Sequence, residues 1–271
     1  LFGGSLARDL QAQGHDIWGV SRRESTCQMA LAQAVVHHAS PDLSSLDSAE
    51  IVFICTPISA ILPTLTELAT MLDPTAIVTD VGSVKGELVA PATDIWPRFV
   101  GGHPMSGKAE AGLSAATRGL FQGRPYVLTP LPQTLPAAVS QVTELIEQLG
   151  STLHVTDPTA HDRAVALISH LPVMLGASLL QACAHSPQRS LAENLASSGF
   201  RDTSRVGGGN PELGALMAQY NQAALLAALA DYQAQLTQLT QAIEQGDWQR
   251  VQAYLTAAHQ QRPAFVSDRP L

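Results

Sequence analysis

LFGGSLARDLQAQGHDIWGVSRRES, residues 1–25, decides the fold. Gly3 opens a stretch with helical character over residues 4–13, and HDIWGV (15–20) follows as a β-like run. A dinucleotide-binding fold carries G-x-G-x-x-G between its first strand and first helix, where the glycines let the backbone approach a pyrophosphate seated at the helix N-terminus. Gly3 fits the third glycine of that pattern, with an ordinary glycine at the head of a helix as the competing reading. The first strand and two glycines are then expected upstream of Leu1, roughly nine or ten residues of them, at a central place in a doubly wound sheet.

The turn after 15–20 bears on the cofactor. An NAD enzyme places Asp or Glu about 20 residues past the first glycine, on the ribose 2′-hydroxyl. Here the chain reads Ser21, Arg22, Arg23, with Thr26 in the next turn and no carboxylate at that place. Guanidinium groups form strong charge-assisted bonds to phosphate, so NADP is expected over NAD. A solvated basic turn is the alternative.

Outward from this stretch, β-like runs fall at 51–55, 76–81, 99–102, 126–129 and 152–155, with helical stretches at 58–71 and 135–149. Near-continuous apolar strands alternating with helices predict a mainly parallel sheet covered on both faces. After residue 157 the β signal stops. Residues 160–183 read as one apolar helix and 211–245 as another. In the second, Leu225, Leu229, Tyr232, Leu236, Leu239 and Ile243 are spaced 4, 3, 4, 3, 4, a coiled-coil-like stripe. Residues 247–260 read as a last helix and 262–271 as a loose tail. The expected organisation is α/β over 1–156 and all-α over 157–271, the second half packing against another subunit.

Composition supports a folded chain. Of 271 residues, 45% are hydrophobic and 14% charged, with net charge −8. That charge content is well below the roughly 25% of an average protein and excludes charge-driven disorder. The acidic balance argues against nucleic acid or an anionic membrane as partner. The longest uninterrupted apolar run, 223–230, has eight residues, short of the roughly 18 a membrane span needs. Cys27, Cys55 and Cys183 are scattered and form no metal pattern, which suggests a reducing, cytoplasmic compartment.

Candidate chemistry lies at strand ends, where open α/β folds bind ligands. CTP (55–57) brings Thr56 and Pro57, and DVGSVK (80–85) brings Ser83, toward the nicotinamide end of a cofactor. GGHPMSG (101–107) offers His103, whose neutral imidazole suits proton abstraction as hydride leaves a carbinol. SHLPV (169–173) contributes Ser169 and His170, either lining an interdomain cleft or packed in a core, with Pro172 kinking the helix. SSGFRDTSRVGGGNPELG (197–214) places Arg201, Asp202 and Arg205 in a glycine-rich turn suited to bidentate carboxylate binding, or to a solvated Arg–Asp pair. Asn210–Pro211 then starts a helix.

In order and approximate spacing, DVGSVK, GGHPMSG, SHLP and GFRDTSRVGGGNPELG resemble the prephenate/arogenate dehydrogenases of tyrosine biosynthesis, over almost the whole chain. The resemblance implies a Rossmann-like NADP-binding domain followed by an all-α dimerisation domain, and a small-molecule substrate bound by a homodimer. It implies that His103 is the catalytic base, Ser83 its hydrogen-bonding partner and Arg205 the substrate-carboxylate anchor. Ser169, His170, Arg201 and Asp202 fall in the same region. Prephenate-specific members often carry HLPH where this chain has HLPV, ending on Val173, so the chain looks closest to the arogenate-using, NADP-linked branch. No regulatory or mutase domain is expected after the last helix. Another β-hydroxyacid dehydrogenase is disfavoured, because such enzymes use a helical-domain lysine and the only lysines here are Lys85 and Lys108. A truncated, non-catalytic dimeric scaffold is the remaining alternative.

Overall fold

The computed structural model describes residues 1–108, 110 and 112–266. The α/β half runs α1 (Phe2–Ala12), β1 (Trp18–Val20), α2 (Glu24–Ala32), β2 (His38–Ser40), β3 (Ile51–Ile54), α3 (Ile58–Leu68), β4 (Ile77–Asp80), α4 (Val89–Ile95), β5 (Phe99–Val100), β6 (Gly102–Pro104), β7 (Pro125–Leu128), α5 (Pro136–Gln148) and β8 (Thr152–Val155). β1 and β2 pair in parallel, as do β3, β4 and β5; β7 pairs antiparallel with β6 and parallel with β8. No ladder among the described residues joins β1 to β3.

Alternation along the strands sends neighbours to opposite faces. Val52, Ile54 and Val78 pack with Ile61, Leu65 and Leu68 of α3 on one face. Ile77, Val100, Tyr126 and Leu128 pack with Val142 and Ile146 of α5 on the other. The sheet is thus covered on both sides, as a Rossmann-like architecture requires.

The helical half comprises α6 (Pro158–Val165), a π-helical turn (Ala166–His170), α7 (Leu171–Ala184), α8 (Arg189–Leu195), α9 (Ser198–Ser204), a 3-10 turn (Arg205–Gly208), α10 (Pro211–Tyr220), α11 (Gln222–Glu244) and α12 (Trp248–Phe265). The kink expected at Pro172 takes a definite form. Pro172 sits in the first turn of α7, where its missing N–H costs little, and the widened π turn absorbs the ring immediately before it.

Several expectations require correction. The single helix expected over 211–245 is broken at Asn221 (φ −124°, ψ 33°), whose buried amide is drawn into polar contacts described below. Arg201 and Asp202 lie in helix α9 and Arg205 in a 3-10 turn, because Ser197–Ser204 continues as helix rather than loop. The last helix extends through Pro263 to Phe265; the rest of the expected loose tail, residues 267–271, lies outside the described residues. Strand β2 was not expected, and β6 continues past the predicted end of its run to include His103.

The continuous helical run Pro158–Ala184 is long and apolar enough to cross a membrane by length and composition, with mean hydropathy 1.6 over its most apolar window. Its buried His161, Asp162 and His170 instead bind it into the rest of the chain. Its far end is gripped through glycine. A Cβ at Gly207 would stand 2.1 Å from the backbone of Gly176 and Ala177, so the turn carrying Arg205 lies directly on α7. Gly207→Ala should therefore lower stability by about 1–3 kcal/mol or more in chemical denaturation. Gly199→Ala, where a Cβ meets nothing within 4 Å, should change it by less than about 0.5 kcal/mol.

Candidate active site

The site forms where the loop after β4, strand β6 and the start of the helical half meet. Asp80, at the end of β4, is completely buried and forms an ion pair with the equally buried Lys85. The same carboxylate accepts the backbone N–H of Gly82 (2.7 Å) and Gly102 (3.0 Å). A Cβ at Gly102 would lie 2.7 Å from the Asp80 carbonyl oxygen, so only glycine lets β6 cross this close to β4. That crossing sets the position of His103.

His103 is buried, and its Nδ1 lies 2.8 Å from Nε2 of His161 in α6. His161 Nδ1 lies 2.8 Å from the Asp162 carboxylate. Asp162 also accepts the backbone N–H of Lys85 (2.8 Å) and Gly86 (2.6 Å). The donor pattern assigns the protons. A carboxylate only accepts, so His161 carries its proton on Nδ1 and its Nε2 accepts. His103 then donates from Nδ1 and its Nε2 is left as a lone pair. Burial, reinforced by the neighbouring His161, Lys85 and His170, holds His103 well below the ordinary histidine value of 6.5. The geometry thus yields a neutral imidazole with one free basic nitrogen.

His170 is fully buried beside this group. Asn221 donates one amide hydrogen to the Asp162 carbonyl oxygen (2.9 Å) and the other toward His170 Nδ1 (3.1 Å). His170 therefore carries its proton on Nε2, which has no partner among the described residues. Burial, the largest influence, lowers its pKa, Asp162 raises it and His161 lowers it. The choice left open for His170 is thus resolved by geometry: it is buried, and it also presents an unused donor.

The cofactor candidates occupy strand ends. Thr56, before Pro57 at the head of α3, and Ser83, after β4, each bury a hydroxyl oxygen that no group among the described residues satisfies. Such orphaned hydroxyls are rare unless a ligand completes them, and their places fit the nicotinamide end of a dinucleotide. Gly3 lies in the first turn of α1, where a Cβ would approach Cys55 to 3.3 Å, so helix and strand end pack closely. Ser21 and Arg22 sit between β1 and α2 and Thr26 in the first turn of α2; Arg22 is exposed, and no carboxylate pairs with it among the described residues.

Not every expected residue joins the network. Ser83 makes no hydrogen bond to His103; the orienting partner of His103 is His161. Ser169 is half-buried, while Arg201, Asp202 and Arg205 are exposed and make no bond to the His103 group. Arg201 and Asp202 pair locally at 3.3 Å. Asn210 caps α10 as expected, accepting from Glu212 and Leu213. Sequence reading missed His161, Asp162, Asp80 and Asn221. His161 and Asp162 share the buried face of α6 with Val165, one turn after the Asp157 cap.

Comparison with known proteins places this geometry. Residues 6–155 match the family described as prephenate dehydrogenase, nucleotide-binding domain, and residues 157–257 match its dimerization domain. The chain belongs to the prephenate dehydrogenase family. Prephenate dehydrogenase of Bacillus subtilis is 30% identical over 270 residues, covering 97% of this chain and 73% of that protein. Arogenate dehydrogenase of Synechocystis is 50% identical with TM-score 0.89, covering 98% of this chain and 97% of that one. A prephenate dehydrogenase from A. aeolicus, solved with hydroxyphenyl propionate and NAD+, is 25% identical with TM-score 0.93, covering 98% and 95%. The Rossmann-like domain followed by a helical domain is thus the family architecture, and the nucleotide-binding domain supports a pyridine nucleotide cofactor.

The buried Asp80–Lys85 pair gives a direct test of what holds this site together. Lys85→Met keeps the aliphatic stem but strands the Asp80 carboxylate in a fully buried place. Urea denaturation should show a loss of about 3–5 kcal/mol.

Proposed function

We propose that the chain oxidises arogenate with NADP, releasing CO2 and forming tyrosine in tyrosine biosynthesis, with prephenate as the competing substrate. The observation that carries this reading is His103, buried and neutral, with Nδ1 engaged by His161 and Nε2 free. A bound pyridine nucleotide supplies the hydride acceptor. His103 Nε2 takes the hydroxyl proton as the carbinol carbon becomes a carbonyl. The incipient ketone is conjugated through the ring to the carbon bearing the carboxylate. That bond breaks, CO2 leaves, and the ring becomes aromatic.

The other residues bind and orient. Thr56 and Ser83 present unsatisfied hydroxyls toward the cofactor, with Pro57 setting the turn and Gly3 allowing α1 to pack close. Ser21, Arg22 and Thr26 receive a 2′-phosphate, which favours NADP. His170 offers its Nε2–H to a substrate oxygen, with Ser169 alongside. Arg205, next to Arg201 and Asp202, anchors a substrate carboxylate. Val173 in HLPV, together with the 50% identity to an arogenate dehydrogenase, favours the amino over the keto side chain.

A homodimer through the helical half fits the exposed apolar side chains there. Tyr232, Leu236 and Ile243 of the expected stripe remain exposed, as do Leu226, Trp248 and Leu255. A cytoplasmic location fits three free thiols.

The decisive experiment is nucleotide reduction with arogenate and prephenate side by side, each with NADP and NAD. Arogenate with NADP should show the highest kcat/KM; preference for prephenate, or for NAD, overturns that part of the reading. His103→Asn should lower kcat about 10²–10⁴-fold with little change in KM, and Arg205→Ala should mainly raise KM. The active form of His103 is neutral and its pKa is depressed. The acid limb of kcat/KM should therefore fall below pH 6.5, with activity lost only as pH drops past that lowered value.

A further inference from the structure

Resting on the assignment of His103 as base, we infer that His161 and Asp162 form its positioning pair, holding the proton of His103 on Nδ1 so that Nε2 stays bare toward the substrate. Neither residue touches the reacting atoms. His161 Nε2 accepts from His103 at 2.8 Å, and His161 Nδ1 donates to Asp162 at 2.8 Å. The logic is that of a hydrolase triad, in which a buried carboxylate fixes the tautomer of the catalytic histidine, here with a second imidazole in series.

Three observations carry the assignment. First, both imidazoles are buried, and the His161 side chain is 1% exposed, so water does not compete for the ring nitrogens. Second, Asp162 cannot turn away. Its two oxygens are held by the N–H groups of Lys85 and Gly86, and its carbonyl by Asn221. Third, the two rings meet edge to face, with an interplanar angle of 72°, which aims the His103 Nδ1–H bond at His161.

The pair also couples base to domain contact. His103 belongs to the α/β half, whereas His161 and Asp162 open the helical half. The N–H groups that fix Asp162 come from the loop that carries Ser83. The correct tautomer is therefore imposed only when the two halves are seated together. When His103 takes the carbinol proton at Nε2, it keeps its Nδ1 proton. The positive charge is then met by His161, polarised by Asp162, and no proton need leave the group.

His161→Leu and His161→Gln test this on the full chain. Glutamine reproduces both roles, accepting from His103 through Oε1 and donating to Asp162 through Nε2; leucine reproduces neither. The leucine variant should lose about a hundredfold or more in kcat, the glutamine variant should recover to within about tenfold of the parent, and KM for both substrates should hold within about threefold. Long-range proton–nitrogen NMR at neutral pH reads the tautomer without turnover. The parent should show His103 protonated on Nδ1, and the leucine variant should shift the proton to Nε2.

A parent spectrum with the proton on Nε2, a leucine variant within about threefold of parental kcat, or a glutamine variant as impaired as leucine each overturns the inference. If the leucine variant does not fold, the parent spectrum and the glutamine variant still decide. His103→Asn separates this outcome from the underlying assignment. Retained turnover there removes His103 as base, whatever tautomer the spectra show.

Discussion

The structure depends on one buried carboxylate. Asp162 receives three N–H groups, from Lys85, Gly86 and His161, and it lies on the first helix of a half that begins only a few residues earlier. An ionised carboxylate out of water is costly unless its lone pairs are met. Two of its donors lie in the α/β half, 77 and 76 residues away in sequence. The charge is therefore tolerable only when the two halves are docked. Domain contact and assembly of the hydrogen-bonded group become a single event, which is why His103 and its partners sit at the junction rather than inside either half.

A second buried charge works from the other side of the same loop. Asp80 holds Lys85, Gly82 and Gly102, so the segment 80–86 is fixed by one carboxylate beneath it and another above. Buried ion pairs of this kind contribute little net stability, since desolvation consumes most of the Coulombic gain. Their effect is specificity of arrangement: any slip of the loop would strand a charge. The result is that Ser83, in the middle of the segment, is held with its hydroxyl unsatisfied.

Most of the fold was legible from period and punctuation. The strands Ile51–Ile54, Ile77–Asp80 and Thr152–Val155 carry branched apolar runs that read plainly, and the change to all-α after Val155 follows the end of such runs. β6 was not legible, because Gly102, His103 and Pro104 have poor strand character; tertiary contact with β7 imposes the conformation. The break at Asn221 was hidden because QYNQAALL continues a helical pattern, and only the hydrogen bonds of its amide to Asp162 and His170 repay the interruption. Within the site, His103 and Ser83 were visible as polar residues at strand ends. His161 and Asp162 were not singled out within the stretch read as the apolar helix 160–183. Their burial comes from a surface 77 residues away, which no local pattern encodes.

The run that opens the helical half also carries apolar side chains on its outside. Leu167 and Ile168 are 51% and 58% exposed and stand immediately before Ser169 and His170. The π turn lies at this point, with His170 inward while Leu167 and Ile168 face outward. Leu167 and Ile168 leave aliphatic surface on the outside of this run, while Val165, Ala166, His170 and Leu171 are buried on its inside. Burying the outer face against a second copy would remove apolar surface at about 25 cal/mol per Å² and would clamp the backbone that carries His170. A change at Leu167 or Ile168 would therefore bear on the proposed association and, through the backbone of this turn, on the position of His170.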